Sequence, residues 1–212
     1  MQFPNIGFIG CDLADDDMEP ILAEIVELSK DFTNAIPARQ GLVGQIKHEY
    51  VLVKSYDHIE KLAKKMLDEY CHTFSYNGGH SSNYKLNPPW VNFQRKHEYN
   101  PMHNHSGTFS FVIWIKIPYT MEQEKLATNY VLEDKNNAGT FNFHYTDALG
   151  LLSSWSIPAD KTYERRMIMF PANLNHSVNP FFSSDEFRIS VSGNLSRIND
   201  TVALSIERPS LK

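Results

Sequence analysis

The chain has 212 residues, of which 42% are hydrophobic and 21% charged, so it is long enough to bury one substantial core and too short to need several domains. The formal net charge is −5 and the lysines and arginines are scattered, which argues against a nucleic-acid-binding surface. Residues 1–10 lack the pattern of a secretory signal, and the apolar run 109–117 is interrupted by Ser110 and Lys116, so neither secretion nor membrane insertion is indicated.

Two amphipathic helices are predicted in the first 85 residues. Apolar residues recur at helical spacing over 18–32, directly after the acidic run 15–17, which suits a helix N-terminus. A second apolar stripe covers 57–71, with lysines on the opposite face. Both helices are expected to pack on a sheet.

From residue 90 onward the pattern changes to short strands separated by turn residues. Residues 77–89 are rich in Gly, Ser, Asn and Pro and are predicted to form a loop. Residues 120–137 are interpreted as a polar insertion with a short helix near 121–126. The sequence therefore predicts one domain over 1–212, divided into a helical part, 1–88, and a β core, 89–206. The expected strands are 90–94, 108–117, 139–145, 166–170, 175–178, 186–194 and 200–206.

Two histidines, His103 and His105, immediately precede the apolar strand 108–117. Strand geometry sends residues i and i+2 to the same face, so both side chains can point at one ion. Imidazole suits iron, zinc, copper and nickel alike, and the pair names no particular metal. Taken alone, the pair is equally consistent with two exposed loop histidines.

A third histidine and an arginine follow later in the predicted strands. His176 comes after the apolar strand 166–170 and a turn, which makes it a candidate third ligand. Residues 187–192 alternate strictly, so that Arg188 and Ser190 share one face. The planar fork of an arginine and a nearby hydroxyl can bind a carboxylate. Without the histidines, an ordinary solvent-facing strand would explain the alternation equally well.

The order of these motifs resembles a known enzyme superfamily over roughly residues 90–195. The resemblance is carried by His103-Asn104-His105, Gly139-Thr140-Phe141-Asn142-Phe143, Phe170-Pro171, His176 and Arg188. This pattern is similar to that of the 2-oxoglutarate and iron(II)-dependent oxygenases. Within them, Trp90-Val91-Asn92 before the histidine pair resembles a family related to prolyl 4-hydroxylases, in which phage and bacterial members are common.

The resemblance implies both a fold and a reaction. The implied fold is mainly β, a jelly-roll double-stranded β-helix of cupin type with flanking helices. His103, His105 and His176 would hold iron(II), and the distal carboxylate of the co-substrate 2-oxoglutarate would bind to Arg188 with help from Ser190. The implied reaction hydroxylates a C–H bond while 2-oxoglutarate is converted to succinate and carbon dioxide.

Other polar residues have weaker claims on the pocket. Asn92 shares a strand face with Gln94, and His144 shares one with Thr140 and Asn142, so either face lines the cavity if it points inward. Asn92 is assigned to cofactor binding on this basis. The remaining histidines lie in helix or loop contexts and are expected at the surface without a chemical role: His48, His58, His72, His80 and His97.

One residue departs from the superfamily pattern. Most members have Asp or Glu two residues after the first histidine, whereas this chain has His105. Three neutral imidazoles leave the iron with one more unit of positive charge, which weakens stabilisation of its higher oxidation states. Three alternatives therefore stay open: a three-histidine iron dioxygenase that does not use 2-oxoglutarate, a non-catalytic cupin-like binding or virion-associated protein, and a zinc hydrolase.

The sequence leaves the substrate open, because selectivity would lie in the insertion 120–137 and in the helical first half. A small molecule or a peptide is expected, with no membrane and no nucleic-acid partner. A homodimer is expected from strands exposed at a barrel rim. Cys11 and Cys71 lie in different kinds of segment, which indicates no disulfide framework and favours the cytoplasm, that of the host cell if the protein is phage-encoded.

Overall fold

The computed structural model describes residues 7–38, 42–76, 80–132 and 136–198. Within these ranges the chain forms two antiparallel sheets and three helices. The strands are β1 (Ile9–Asp12), β2 (His48–Val51), β3 (Tyr84–Leu86), β4 (Trp90–Gln94), β5 (Asn100–His103), β6 (Phe109–Lys116), β7 (Phe141–Thr146), β8 (Leu152–Ile157), β9 (Arg166–Pro171), β10 (His176–Val178) and β11 (Arg188–Arg197). The helices are α1 (Asp15–Lys30), α2 (Tyr56–Thr73) and α3 (Met121–Ala127).

The larger sheet has the strand order β1-β9-β6-β11-β4-β2, with β3 paired to the far end of β11. The smaller sheet has the order β5-β10-β7-β8. Two antiparallel sheets with flanking helices confirm the predicted mainly β fold class. Among the described helices, none combines the length and apolar composition needed to span a bilayer.

The core has two halves, one on each face of the larger sheet. Alternation along β6 sends Phe111 and Ile113 to the outer face, where they pack with α1 and α2. The same strand sends Val112 and Trp114 inward, where they pack against the smaller sheet. A strand buried on both faces reads as a continuous apolar run, which is why β6 was readable from the sequence.

The predicted helices are confirmed with shifted ends. Helix α1 begins at Asp15, so the acidic run forms its first turn instead of preceding it. The carboxylate of Asp17 accepts a hydrogen bond from the N–H of Ala14 at 3.4 Å, which satisfies one of the free donors at the helix start. Helix α2 extends the predicted range by one residue at its start and two at its end.

Five strands were not predicted: β1, β2, β3, β5 and β8. They have three to six residues each, and most carry few apolar side chains, so alternation is not visible in them. The prediction of a loop over 77–89 was wrong for Tyr84–Leu86, which pairs with residues 195–197. Strands β1, β2 and β3 also join the larger sheet, so the segment 1–88 is not purely helical. The predicted strand 200–206 lies outside the described residues, and the single domain over 1–212 stays a prediction.

Glu24 ties α1 to the start of α2. Its buried carboxylate accepts hydrogen bonds from the backbone N–H groups of Val53, Lys54 and Ser55 at 2.7, 2.9 and 2.8 Å. Replacing Glu24 with Ala leaves these donors without an acceptor, so we expect the free energy of unfolding to fall by about 3 kcal/mol in urea denaturation. The matched variant Glu19→Ala, on an exposed position of the same helix, should change it by less than about 0.5 kcal/mol. An equal fall in the free energy of unfolding in the two variants would show that the hydrogen bonds of Glu24 do not stabilise the protein.

Candidate metal centre

The three histidines singled out in the sequence meet at one edge of the smaller sheet. His103 ends β5 and His176 begins β10, and the two are direct cross-strand partners. His105 lies two residues beyond β5, where its backbone N–H donates to the carbonyl of Ala172 at 2.8 Å. One ligand nitrogen from each ring lies within 4.8 Å of the others. The three ring centroids are separated by 4.3 to 5.0 Å.

Backbone carbonyls orient two of the rings. Nδ1 of His103 lies 2.7 Å from the carbonyl oxygen of Pro101, and Nδ1 of His176 lies 2.9 Å from that of Leu174. A carbonyl oxygen only accepts, so Nδ1 carries the proton in both rings and Nε2 keeps a free lone pair. Metal-binding histidines use the same arrangement, in which the second ring nitrogen donates to a fixed acceptor.

Burial keeps the imidazoles neutral. Removal from water lowers the pKa of His176 to about 3 and the pKa of His105 to about 4, and the neighbouring His103 adds to both shifts. Burial also lowers the pKa of His103. Neutral rings offer lone pairs to a metal ion, whereas protonated rings would repel it, so the donor set fits a divalent transition metal.

Acid is expected to destabilise the metal-free protein through His176. Its pKa is about 6.5 in the unfolded chain and about 3 in the folded one, so the unfolded state takes up the proton first as the pH falls. The stability contribution is complete above about pH 6.5 and is lost towards the folded-state pKa. The free energy of unfolding should therefore drop by about 2 kcal/mol from this group between about pH 7 and about pH 5. Urea denaturation of wild type and His176→Asn at both pH values measures the difference, and an identical drop in the two proteins would contradict it.

The histidines lie at one end of a pocket between the two sheets. Its apolar lining includes Trp114 of β6 and Phe170 of β9, from the larger sheet, and Phe141 of β7, from the smaller sheet. Its polar lining comes from the inward faces of β4 and β11, which also belong to the larger sheet. Its members are Asn92, Gln94, Arg188, Ser190 and Ser192.

Of the two polar strand faces considered in the sequence, only that of Asn92 and Gln94 lines the pocket. His144 is hydrogen-bonded through Nε2 to Ser177 Oγ at 2.8 Å and through Nδ1 to Ser154 Oγ at 2.9 Å. It alternates along β7 with Phe141 and Phe143, which face the core between the sheets. The His144 face therefore points away from the pocket. His48 likewise lies on strand β2, not in a helix or loop.

Arg188 is a buried cation surrounded by neutral acceptors. Only 4% of it is exposed. Its Nε and Nη2 donate to Gln94 Oε1 at 3.1 and 2.7 Å, and Nη1 donates to Tyr119 Oη at 2.6 Å and to the Gly139 carbonyl at 3.0 Å. Nη2 also donates to the Asn179 carbonyl at 3.0 Å. Within the described part of the chain, none of these acceptors is a carboxylate, so the guanidinium can gain a charged partner by binding an anion.

Gln94 occupies the side of the arginine fork that a carboxylate would use. Its Oε1 alone accepts from both Nε and Nη2, on the edge of the guanidinium where a bidentate carboxylate would place its two oxygens. Its Nε2 donates to the Glu98 carbonyl at 2.5 Å, which holds the amide in that orientation. Gln94 and Arg188 are cross-strand partners. The sequence placed Gln94 on the pocket face but could not reveal this contact, because the register between β4 and β11 is not encoded locally.

Asn92 orients the hydroxyl of Ser190. The Nδ2 of Asn92 donates to Ser190 Oγ at 3.3 Å and lies 3.5 Å from Ser192 Oγ. Because Ser190 Oγ accepts this bond, its own O–H remains available to donate to a ligand in the pocket.

Neutral imidazoles at one end of a two-sheet barrel, with a buried arginine in the same pocket, are features of a mononuclear metal enzyme that takes an anionic co-substrate. The sequence profile of the family described as "Putative 2OG-Fe(II) oxygenase" matches residues 89–194, half of the chain. The chain belongs to this family. It is thus an oxidoreductase whose family uses iron(II) and 2-oxoglutarate, as predicted. Of the functions considered from the sequence, this membership favours the oxygenase over the non-catalytic binding protein and the zinc hydrolase.

Solved structures with the same fold come from distant relatives. A prolyl-4-hydroxylase from Pseudomonas putida has a TM-score of 0.55 at 12% identity, covering 90% of this chain and 92% of that chain. A prolyl hydroxylase from Trichoplax adhaerens, in complex with a hypoxia inducible factor peptide fragment, has a TM-score of 0.57 at 14% identity, covering 95% and 88%. A 2OG-Fe(II) oxygenase family oxidoreductase from Burkholderia pseudomallei has a TM-score of 0.54 at 16% identity, covering 92% and 87%. No curated protein matches the sequence. These similarities confirm the double-stranded β-helix fold.

Proposed function

We propose that the protein is an iron(II)- and 2-oxoglutarate-dependent hydroxylase in which His103, His105 and His176 hold the iron and Arg188 and Ser190 bind the distal carboxylate of 2-oxoglutarate. The observation that carries the proposal is the convergence of three neutral ring nitrogens within 4.8 Å, in a pocket that also contains a buried arginine. The bound iron and 2-oxoglutarate would supply the oxygen-activating chemistry, and the protein supplies binding and orientation.

Charge supports the pairing of this metal site with this co-substrate. Three neutral imidazoles leave both charges of an iron(II) ion uncompensated, because His105 stands where most of the superfamily has a carboxylate. 2-Oxoglutarate carries two negative charges, one for each end of the pocket. The apolar side chains of Trp114, Phe141 and Phe170 keep water away from these charges and so strengthen their attraction.

The arginine can accept a carboxylate without moving. A carboxylate that replaces Gln94 Oε1 would take the N–H groups of Nε and Nη2. Tyr119, Gly139 and Asn179 keep the other hydrogen bonds and hold the guanidinium in place. Replacing a neutral acceptor with a charged one strengthens the hydrogen bonds, which offsets the displacement of the Gln94 amide.

An anaerobic titration tests the proposal. Iron(II) followed by 2-oxoglutarate should produce a weak visible charge-transfer band, and admission of oxygen should release succinate. If the protein binds iron but shows no band and does not bind 2-oxoglutarate, the result would instead support a three-histidine dioxygenase with another co-substrate. If the protein binds neither iron(II) nor 2-oxoglutarate, it is a non-catalytic binding protein and the proposal is wrong.

We also propose a cytoplasmic location and a small-molecule or peptide substrate. The location is supported by the free thiols of Cys11 and Cys71. The pocket between the sheets supports a substrate that presents one narrow group to the metal centre. The homodimer stays a prediction, and light scattering of the purified protein would decide it.

A further inference from the structure

Two asparagines line the same pocket as the three histidines. They are Asn92 of β4 and Asn100 of β5. The Oδ1 atom of each is buried, and neither oxygen has a hydrogen-bond partner within the described ranges. We call these two oxygens the amide oxygen pair. Among the described residues, they are the buried side-chain polar atoms that lack a partner.

Buried oxygens without a donor are unfavourable unless a ligand supplies one. A carbonyl oxygen that leaves water without forming a hydrogen bond destabilises the folded state, and native proteins contain few such atoms. Both oxygens of the pair belong to residues that line the pocket of the candidate metal centre. This location indicates that the pair is reserved for the donors of a bound ligand.

The protein fixes both amide groups. Nδ2 of Asn92 donates to Ser190 Oγ at 3.3 Å and lies 3.5 Å from Ser192 Oγ, which places Oδ1 on the other side of the amide. The Oδ1 of Asn100 lies beside the backbone of Gly44, where an added Cβ would be 2.2 Å away. A larger residue at position 44 would displace this oxygen, so the position of the Asn100 amide depends on the glycine.

The co-substrate cannot supply the missing donors. At neutral pH 2-oxoglutarate carries two carboxylates and a keto oxygen, all of which accept hydrogen bonds and none of which donates one. Beside the amide oxygen pair they would bring lone pairs against lone pairs. The donors must therefore come from a different ligand, and the substrate is the ligand that shares this pocket with 2-oxoglutarate in the proposed function.

We propose that the amide oxygen pair binds the NH2 group of a neutral primary amide in the substrate. This NH2 group has two N–H donors, one for each oxygen of the pair. A hydroxyl group has one donor and would leave one of the two oxygens without a partner. The proposal rests on the proposed function, since it takes this pocket to be the active site.

The amide oxygen pair favours a neutral donor over a cationic one. Both oxygens belong to uncharged amides, and Glu49, which also lines the pocket, already has an interaction partner within the protein. The pair therefore offers no charge to an ammonium group, and the buried guanidinium of Arg188 in the same pocket repels a cation. A neutral amide forms both hydrogen bonds without this repulsion.

NMR titration of the metal-free, full-length chain tests the proposal with two pairs of probes. One pair is hexanamide and 2-heptanone, and the other is a glutamine-containing peptide and the same peptide with a methyl ketone in place of the glutamine amide. Each pair keeps the carbonyl group and replaces NH2 with CH3, so that only the two donors are lost. The pairs separate a free amide from a glutamine side chain as the source of the group.

In at least one pair, the amide should bind at least about tenfold more tightly than its ketone counterpart. Binding in the pocket should shift the indole N–H signals of Trp90 and Trp114, which line it, and leave unchanged that of Trp155, which is half-exposed on β8. Equal affinities in both pairs, or a shift confined to Trp155, would overturn the proposal. n-Hexylammonium should bind more weakly than hexanamide, and tighter binding of this cation would contradict the assignment of a neutral group.

Variants assign the amide preference to the pair. Asn100→Leu removes one of the two oxygens and keeps the branched shape, so the amide preference should fall at least about threefold. The matched control Asn34→Leu, at an exposed turn after α1, should leave it unchanged. Asn100→Ala removes the same oxygen with a smaller side chain and replaces Asn100→Leu if that variant does not fold. An unchanged preference in either folded Asn100 variant would contradict the assignment.

The anaerobic titration with iron(II) and 2-oxoglutarate separates the two proposals. If the amide oxygen pair is wrong, the charge-transfer band appears and the amide preference does not. If the proposed function is wrong, the band is missing while the metal-free protein still reports the amide preference.

Discussion

Replacing His176 with alanine will leave a folded protein that holds no iron. The side chain supplies one of three ring nitrogens, and its Nδ1–H bond to Leu174 fixes Nε2 towards the other two. Two imidazoles alone cannot retain the ion against solvent, so we expect the iron affinity to fall by at least about 100-fold. Metal analysis after anaerobic loading and desalting measures the retained iron, and circular dichroism reports the fold.

The fold of this variant is expected to survive because the loss is local. The His176 ring lies against Phe141 and Phe170, at centroid distances of 5.6 and 4.9 Å, and both stay in place in the core. The matched control is His72→Ala, at an exposed position of α2, which should retain iron at the wild-type level. Stoichiometric iron in the folded His176→Ala protein would remove His176 from the metal site.

Changing Gln94 to glutamate will abolish 2-oxoglutarate binding while the iron site stays intact. The new carboxylate is placed on Nε and Nη2 of Arg188, where Gln94 Oε1 now lies at 3.1 and 2.7 Å. A buried internal ion pair would then occupy the fork at all times, and its negative charge would repel the co-substrate. We expect the dissociation constant of 2-oxoglutarate to rise by at least about 100-fold, measured from the charge-transfer band.

Two further variants make this prediction specific. Arg188→Ala should raise the 2-oxoglutarate requirement to a similar extent, but it also removes the arginine donors of Tyr119 Oη and the Asn179 carbonyl, so its effect on folding must be measured separately. Gln123→Glu introduces the same change in α3, where either residue caps the helix start, and should not alter binding. Unchanged 2-oxoglutarate affinity in Gln94→Glu would exclude Arg188 as the anchor.

The ligand candidates were accessible from the sequence because their signals are local. His103 and His105 are two residues apart at a strand end, and Arg188 and Ser190 are two residues apart in an alternating strand. His176 was found as a histidine that follows an apolar strand and a turn. Local spacing shows that side chains share a face, and the resemblance supplied the expectation that these faces meet around one ion.

The contacts between strands were not accessible. Gln94 meets Arg188, and Glu49 meets Asn92, only because β4 lies between β11 and β2 in one register. Register is set by packing between segments that are about 40 to 100 residues apart, and a shift by one residue would turn these side chains to the other face. Strands β2 and β5, which carry Glu49 and Asn100, have four residues each and show no clear alternation.

Because His103 and His176 are direct cross-strand partners, a metal ion bound to both would cross-link an edge strand of the barrel to its neighbour. Strand β5 is one of the two edge strands of the smaller sheet, and its register with β10 is interrupted after this histidine pair. An ion held by both rings would join β5 to β10 next to the point where their register shifts. Amide hydrogen exchange at Asn100, Met102 and His103 should therefore slow on metal loading, so that ordering of this rim and assembly of the catalytic centre are one event.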